Sequence, residues 1–348
     1  MNHTLALPDT PDNTNARVML GLMLIAGAVL FADLLVGTRS IDIGTDTYVY
    51  AGLYESLTRH GLVQSRFEPV FYYLTVAIAM TGASLTAYQG TLFLVMIGTV
   101  VAATHRYHAY LESDSRYMTF LAASLMFLFI SPVMANASIN VVRQGLASLL
   151  VFTALLAFHQ RQWRAFFLWG LLATGFHYSS VMYLFFAPVL LLPLRLLRTV
   201  GILAFLAYCS GLTMLLVRVL APSVYTFVMA YDLHANYRSG VRLDFAVFSL
   251  FWYLLPYALA PLVHQPVREN IKRGTAVYLV LMLPFFAVGW GNFSNRFLLP
   301  AWLSVSLLLA AVCCDSRVAP LRNPLVLRMG LVAACGVFYF YVTRGIVV

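Results

Sequence analysis

The sequence predicts an all-α, polytopic integral membrane protein, and three observations carry that expectation. Hydrophobic residues make up 61% of the 348 and charged residues only 10%, whereas soluble chains carry about 25% charged residues. Apolar runs of about 17–22 residues recur from end to end, each long enough to cross about 30 Å of hydrocarbon as a helix. The basic residues collect mostly in short segments between these runs, as they do in the loops of membrane proteins.

Taken in order, residues 1–16 are polar, contain Pro and Asn, and read as a disordered cytoplasmic segment, with 17–348 forming one transmembrane helical domain. The first apolar run, 18–36, is longer than a signal-peptide core and has no basic region before it beyond Arg17, so it is expected to persist as the first span. Further spans are expected near 85–104, 117–132, 141–158, 165–176, 178–194, 200–220, 245–263, 275–290, 297–314 and 325–343, which makes about eleven. Pro69–Met80 is apolar over only about a dozen residues and is expected as one short re-entrant or interfacial helix. Cys209, Cys313, Cys314 and Cys335 lie in apolar stretches without metal-ligand spacing and read as packing residues.

The net charge of +9 is explained by topology rather than by nucleic-acid binding. With a cytoplasmic N-terminus and a Pro69–Met80 helix that does not cross, thirteen cations fall inside: Arg17, Arg106, Arg116, Arg161, Arg164, Arg195, Arg198, Arg268, Lys272, Arg273, Arg317, Arg322 and Arg328. Eight fall outside, among them Arg39, Arg143, Arg238, Arg242 and Arg296, and Arg218 lies within a span. A full crossing by Pro69–Met80 would invert every later loop and break the positive-inside rule. In the preferred arrangement the outer loops are 37–84 and 221–244 together with shorter segments, and the unusual polar groups gather on that one face.

Two polar islands stand out there, 39–68 and Asn140-Val141-Val142-Arg143-Gln144. Charged groups near lipid are kept for partners, water or function. Gly44-Thr45-Asp46 forms a turn into a short helix that carries Tyr48, Tyr50 and Tyr54, and these rings with the Asp46 carboxylate suit a sugar. Asp46 equally suits a helix cap. Glu68 heads the short apolar helix, where it either caps it or, shielded and raised in pKa, accepts a proton. Asn140, Arg143 and Gln144 share one helix side. The Arg143 fork suits phosphate oxygens, with a salt bridge to Asp46 or Glu68 or snorkelling as the alternatives. Arg296, beside Asn292 and Asn295, opens another span in the same manner. Segment 231–244, with Asp232, His234, Arg238 and Arg242, reads as a lid, an acceptor-binding loop or a solvated connector. His177 interrupts an apolar stretch as a helix–helix hydrogen-bonding group or a general base, whereas His159 at the inner end reads as structural.

There is no Walker motif, no GxGxxG after a strand, no HExxH and no GxSxG. ATP-driven transport, dinucleotide chemistry, zinc proteolysis and serine hydrolysis therefore lack support, and no cofactor or metal is expected.

Gly44-Thr45-Asp46 with Tyr48 and Tyr50, Glu68-Pro69-Val70-Phe71, Asn140 to Ala147, and Phe176-His177-Tyr178-Ser179-Ser180 follow in the order and approximate spacing of the EpsG family. The chain resembles that family, within the wider Wzy-like group, over about residues 17–190. The C-terminal half resembles it only through its spans and a late Arg, and Ile139 stands where the family usually has Met. The resemblance implies a GT-C-like membrane glycosyltransferase, an O-antigen or exopolysaccharide polymerase of the bacterial inner membrane. It would join lipid-linked oligosaccharide repeats at the outer face, in the periplasm or at the cell exterior. Undecaprenyl-diphosphate-linked oligosaccharide would be donor and acceptor, and a chain-length regulator would be a possible partner. The implied roles are Asp46, Glu68 or His177 for the acceptor proton. Arg143 and Arg296 would bind diphosphate, and Arg39, Tyr48, Tyr50, Asn140, Gln144, Arg238 and Asn295 would line the substrate. A membrane O-acyltransferase using His177 and a lipid-linked glycan flippase are the alternatives; the one-sided polar groups count against the flippase.

Overall fold

A computed structural model describes residues 11–230 and 239–345, with the backbone alone over 11–17. Among the described residues the chain is helical, without strands beyond an isolated bridge between Val263 and Ser316. The helices are α1 (Pro11–Gly37), α2 (Thr47–His60), α3 (Pro69–Met80), α4 (Leu85–Leu111), α5 (Tyr117–Ile130), α6 (Pro132–Ile139), α7 (Val142–His159) and α8 (Trp163–Phe176). They continue as α9 (Ser180–Phe185), α10 (Leu194–Cys209), α11 (Leu212–Leu220), α12 (Pro222–Met229), α13 (Leu243–Leu259), α14 (Val267–Val288), α15 (Leu299–Cys314) and α16 (Pro324–Arg344). α1 begins at Pro11, inside the stretch expected to be disordered, and residues 1–10 lie outside the described ones.

Local chemistry sets the boundaries. Ser84, Ser131 and Asn323 each accept a hydrogen bond from the first turn of α4, α6 and α16. Proline opens α3, α6, α12, α15 and α16, where its missing N–H is not needed.

Among the described residues seven helices are long and apolar enough to cross a membrane, or up to nine if α5–α6 and α10–α11 each form one bent span. This falls short of the eleven expected because the apolar stretch around His177 is broken into short pieces. α8 has 14 residues and α9 has 6, with a five-residue 3₁₀ turn at Ala187–Leu191. Ser131-Pro132 turns the chain by 81° between α5 and α6, so the expected span 117–132 ends in a helix lying across the bundle.

Burial separates core from lipid-facing helices. In α7, 89% of the residues are buried, against 22% of the best spanning stretch in each of α1 and α13. α14 and α15 pack with α7 at the centre. The four cysteines are free; Cys314 is buried and the other three are half-buried.

The helix ends sort into two groups. At one end Tyr110 meets His159 (3.4 Å), Asn270 donates to the Leu111 carbonyl (3.0 Å), Arg106 donates to Gln162 (2.5 Å) and Ser113 donates to Asp315 (2.8 Å). His159 is thus a packing partner, as expected. At the other end the α1 C-terminus closes on the start of α4, and α8 ends against the loop before α3. Both ends of α3 lie there too: Glu68 bonds His177, while Ala83 just beyond α3 accepts from Tyr54 (2.5 Å).

Candidate functional site

The site is built where α2, α3, α7, α8 and α15 begin or end. Its foundation is the crosswise α6, whose last residues hold the Gly44-Thr45-Asp46 turn. Asn140 Oδ1 accepts from Thr45 Oγ1 (2.7 Å) and from the Asp46 backbone N–H (3.0 Å), and Thr47 Oγ1 donates to the Ile139 carbonyl (2.6 Å). Gly44 sits at φ +94°, and a Cβ there would come within 2.7 Å of the Ile139 oxygen, so only glycine allows this close approach.

Neither acid caps its own helix. Both carboxylates are turned to cations instead. Glu68, almost fully buried, accepts from Arg143 Nη1 (2.5 Å), from the Tyr178 backbone N–H (3.2 Å) and from His177 Nδ1 (2.8 Å). An ionised carboxylate only accepts, so the Nδ1 proton is fixed toward Glu68 and the neutral ring keeps its lone pair on Nε2. The Arg143 guanidinium lies 4.6 Å above the Phe67 ring and 5.9 Å from the Tyr50 ring, with its Nε buried and unpartnered. Asp46 and Arg296 form a looser pair at 3.4 Å, each about 30% exposed. The Arg143, Asp46 and Arg296 charges all act on the buried Tyr50 phenol, which burial pushes up in pKa, so the two ion pairs flank one residue.

Arg296 is placed by its backbone. Gln144 donates to its carbonyl (2.5 Å), Tyr183 donates to the next carbonyl at Phe297 (3.0 Å), and Asn295 Oδ1 accepts from its N–H (3.0 Å). Phe293 just before it adopts φ +56°, a left-handed conformation uncommon for a bulky residue. Its ring lies 4.4 Å below the guanidinium. Strain of this sort persists where the surroundings over-determine it. The cluster thus presents an imidazole nitrogen and two half-buried guanidinium groups beside two acids, at one end of an apolar bundle. Such a set can take a proton and stabilise a polyanion.

The sequence profile of the EpsG family matches residues 22–346. The chain belongs to the EpsG family. Neither the curated proteins nor the solved structures compared with it provide a match.

The match carries the EpsG resemblance past residue 190 through the C-terminal half, which places Arg296 inside the family region. The motifs read from sequence meet in space: the Gly44–Asp46 turn, Glu68, Asn140–Gln144 and His177 all join this cluster. Some members do a different job from the one expected. Asn140 and Gln144 are buried and have their polar groups on protein partners, so they position Asp46 and Arg296. Arg39 donates to the Val36 carbonyl (2.5 Å) and to the Ile139 carbonyl (3.5 Å), beneath the turn rather than at the open pairs. Tyr50 is the packed wall behind Arg143, and Tyr54 stacks on Tyr88 at 4.3 Å, so neither ring is an open sugar platform; Tyr48 is exposed. Arg238, Asp232 and His234 lie outside the described residues, and α12 occupies the start of the expected 221–244 loop.

Phe67, Tyr183 and the Tyr178 N–H were not singled out from sequence. Phe67 could have been, since an aromatic beside a membrane acid suits a cation stack. Tyr183 is one phenol in an apolar run, and nothing in its spacing distinguishes it. Among the described residues no three His, Cys, Asp or Glu side chains are grouped so as to hold a metal.

The expected rise in the Glu68 pKa is reversed. Burial pushes it up, but the His177 hydrogen bond and the Arg143 charge outweigh this and hold it at about 2, against 4.5 for the free group. A carboxyl held that low is a poor proton acceptor near neutrality, which leaves it as the residue that orients His177. Because the folded value is the lower one, its stabilisation is complete above pH 4.5 and fades as pH falls toward about 2. The thermal midpoint of the detergent-solubilised protein should therefore drop across that window, and Glu68→Gln should flatten the drop. Superimposable pH profiles for the two proteins would refute the assignment.

Proposed function

We propose that this EpsG-family protein is a polysaccharide polymerase that transfers a glycan from undecaprenyl diphosphate to a hydroxyl of another lipid-linked oligosaccharide repeat. Family membership suggests a Wzy-like polysaccharide polymerase, a glycosyltransferase-like enzyme. The observation that carries the finer reading is the Glu68–His177 pair beside two half-buried arginines at one end of the bundle.

In the reaction a bond forms between the acceptor oxygen and the anomeric carbon while the bond from that carbon to the diphosphate breaks. His177 Nε2 takes the hydroxyl proton, with Glu68 holding the ring. Arg143 and Arg296 stabilise the charge that collects on the departing diphosphate, which is electrostatic catalysis by fixed cations. Asp46 is the resting counter-ion of Arg296 and the second candidate base.

The same reading orients the molecule. α8 runs between the two bundle ends despite its shortness, since Gln162 meets Arg106 at one end and His177 meets Glu68 at the other. If α8 and the α9–3₁₀ segment each cross and each bent pair counts as one span, there are eleven crossings; with a cytoplasmic N-terminus the site would face the outside of the bacterial inner membrane. The strongly basic ends of α4, α5, α7, α8, α14, α15 and α16 then face the cytoplasm, in keeping with the positive-inside rule.

Membranes lacking the protein should accumulate single lipid-linked repeats exposed on the outer leaflet. Repeats trapped only on the cytoplasmic leaflet would identify a transporter and overturn the proposal.

A further inference from the structure

Two apolar cavities of about 500 Å³ each flank the lightly packed α13. Both fall in the size range of ligand pockets, about 300–1,000 Å³. They differ in what they lead to. The first, between α10, α13 and α14, is lined by Leu206, Tyr253 and Phe286 among others and ends near Arg198, toward the end of the bundle away from the site. The second lies between the α5–α6 bend, α13 and α15. Its walls include Ile130, Val133, Phe248, Trp302, Val305 and Leu309. Val133 and Trp302 also line a small recess that contains Asn295 and Arg296. The apolar groove and the Arg296 recess therefore share a wall made by Val133 and Trp302.

We infer that this second groove holds the polyprenyl chain of one lipid-linked substrate, with the diphosphate at its head on Arg296. The inference rests on the polymerase reading above and adds to it which arginine is fed from the bilayer and by what route. Three features support this occupant. The outer wall is open to lipid, since Ile130 is 42% and Phe248 46% exposed. The inner wall is fixed: Trp302 donates to Ser249 Oγ (2.9 Å) and its ring meets Phe245 and Phe248 at 5.5 Å, so the groove persists without a ligand. Charge changes along its length in the order that a lipid diphosphate requires. The walls are mainly apolar, interrupted by Ser131 and Ser306, while Arg296 lies across the shared Val133–Trp302 wall and the Arg242–Asp244 pair stands at the rim, with the Arg242 guanidinium 3.9 Å over Phe245. Apolar burial supplies affinity in proportion to the tail enclosed. The cations supply the head-group specificity. The bend at Ser131-Pro132 matters for this arrangement, because a straight α5 would continue through the space where the recess opens.

The test uses the full-length protein in nanodiscs with undecaprenyl diphosphate and isopentenyl diphosphate as probes, alone and without glycan. Ile130→Trp and Leu309→Trp, which fill the groove, should weaken undecaprenyl diphosphate binding about tenfold or more and leave the short-chain probe unchanged. Leu206→Trp, in the other cavity, should change neither. Arg296→Ala should weaken both probes. Equal binding of undecaprenyl diphosphate to wild type and both groove variants, or loss on Leu206→Trp alone, would overturn the inference. Each variant is accepted only with a wild-type thermal midpoint, and a photoreactive undecaprenyl diphosphate that labels α10 rather than α5, α13 or α15 counts against the groove independently. Binding is read without turnover. Tail-dependent binding in a protein that forms no polymer would refute the polymerase reading alone, and normal polymerisation with tail-independent binding would refute the groove alone.

Discussion

Alanine at Arg143 or at Arg296 is expected to abolish chain elongation while single lipid-linked repeats persist, with each loss lowering the rate by about 10²–10³. The two variants should differ in what else they do. Arg143 is held against buried Glu68, so its removal leaves the carboxylate only the His177 and Tyr178 hydrogen bonds and should cost stability. Arg296 and Asp46 are both partly exposed, and breaking an exposed pair changes stability by at most about 1 kcal/mol. Arg296→Ala is therefore the cleaner probe of chemistry, and Arg143→Ala must be read beside a thermal melt. Lysine should rescue neither fully, because a point charge cannot reproduce the bidentate fork. Long polymer of normal abundance from both alanine variants would remove the diphosphate assignment.

The second large effect is expected at His177. His177→Asn keeps a polar group of similar reach but no proton acceptor of comparable basicity, and should lower turnover by about 10²–10⁴. Glu68→Gln should lose less, because the imidazole stays while the charge that holds its tautomer goes. A purely structural Glu68 would change stability and leave the pH–rate profile in place. A positioning Glu68 shifts that profile, and Glu68→Asp should recover part of it. Full turnover by His177→Asn would move the proton to Asp46 or leave no protein base at all.

Much of this was legible in sequence because the cues were local and expensive to misplace. Acids and arginines in an apolar chain sit near water or near one another, so sorting the arginines by side also gathered Asp46, Glu68, Arg143, His177 and Arg296. The partners of each group were less legible. Asn140 and Gln144 share a helix side with Arg143, yet they face backbone atoms more than 90 residues distant in sequence. No helical spacing reports that. Hydropathy also could not separate α7 from α1, because lipid and protein core are similarly apolar, although 89% of one and only 22% of the other's spanning stretch is enclosed. The 81° bend was hidden for a related reason: Pro132 marks a break, but the direction taken afterward depends on packing with α7 and α16.

Lying crosswise, α6 also determines how deep a sugar can go. All its residues from Val133 to Ile139 are buried, and its last residues lie directly against the Asp46 turn. On the polymerase reading, a sugar at the ion pairs would meet the buried α6 beneath the Asp46 turn. If the proposed polymerase elongates its glycan at one leaflet, this packed crosswise helix would separate the site from the apolar core below it.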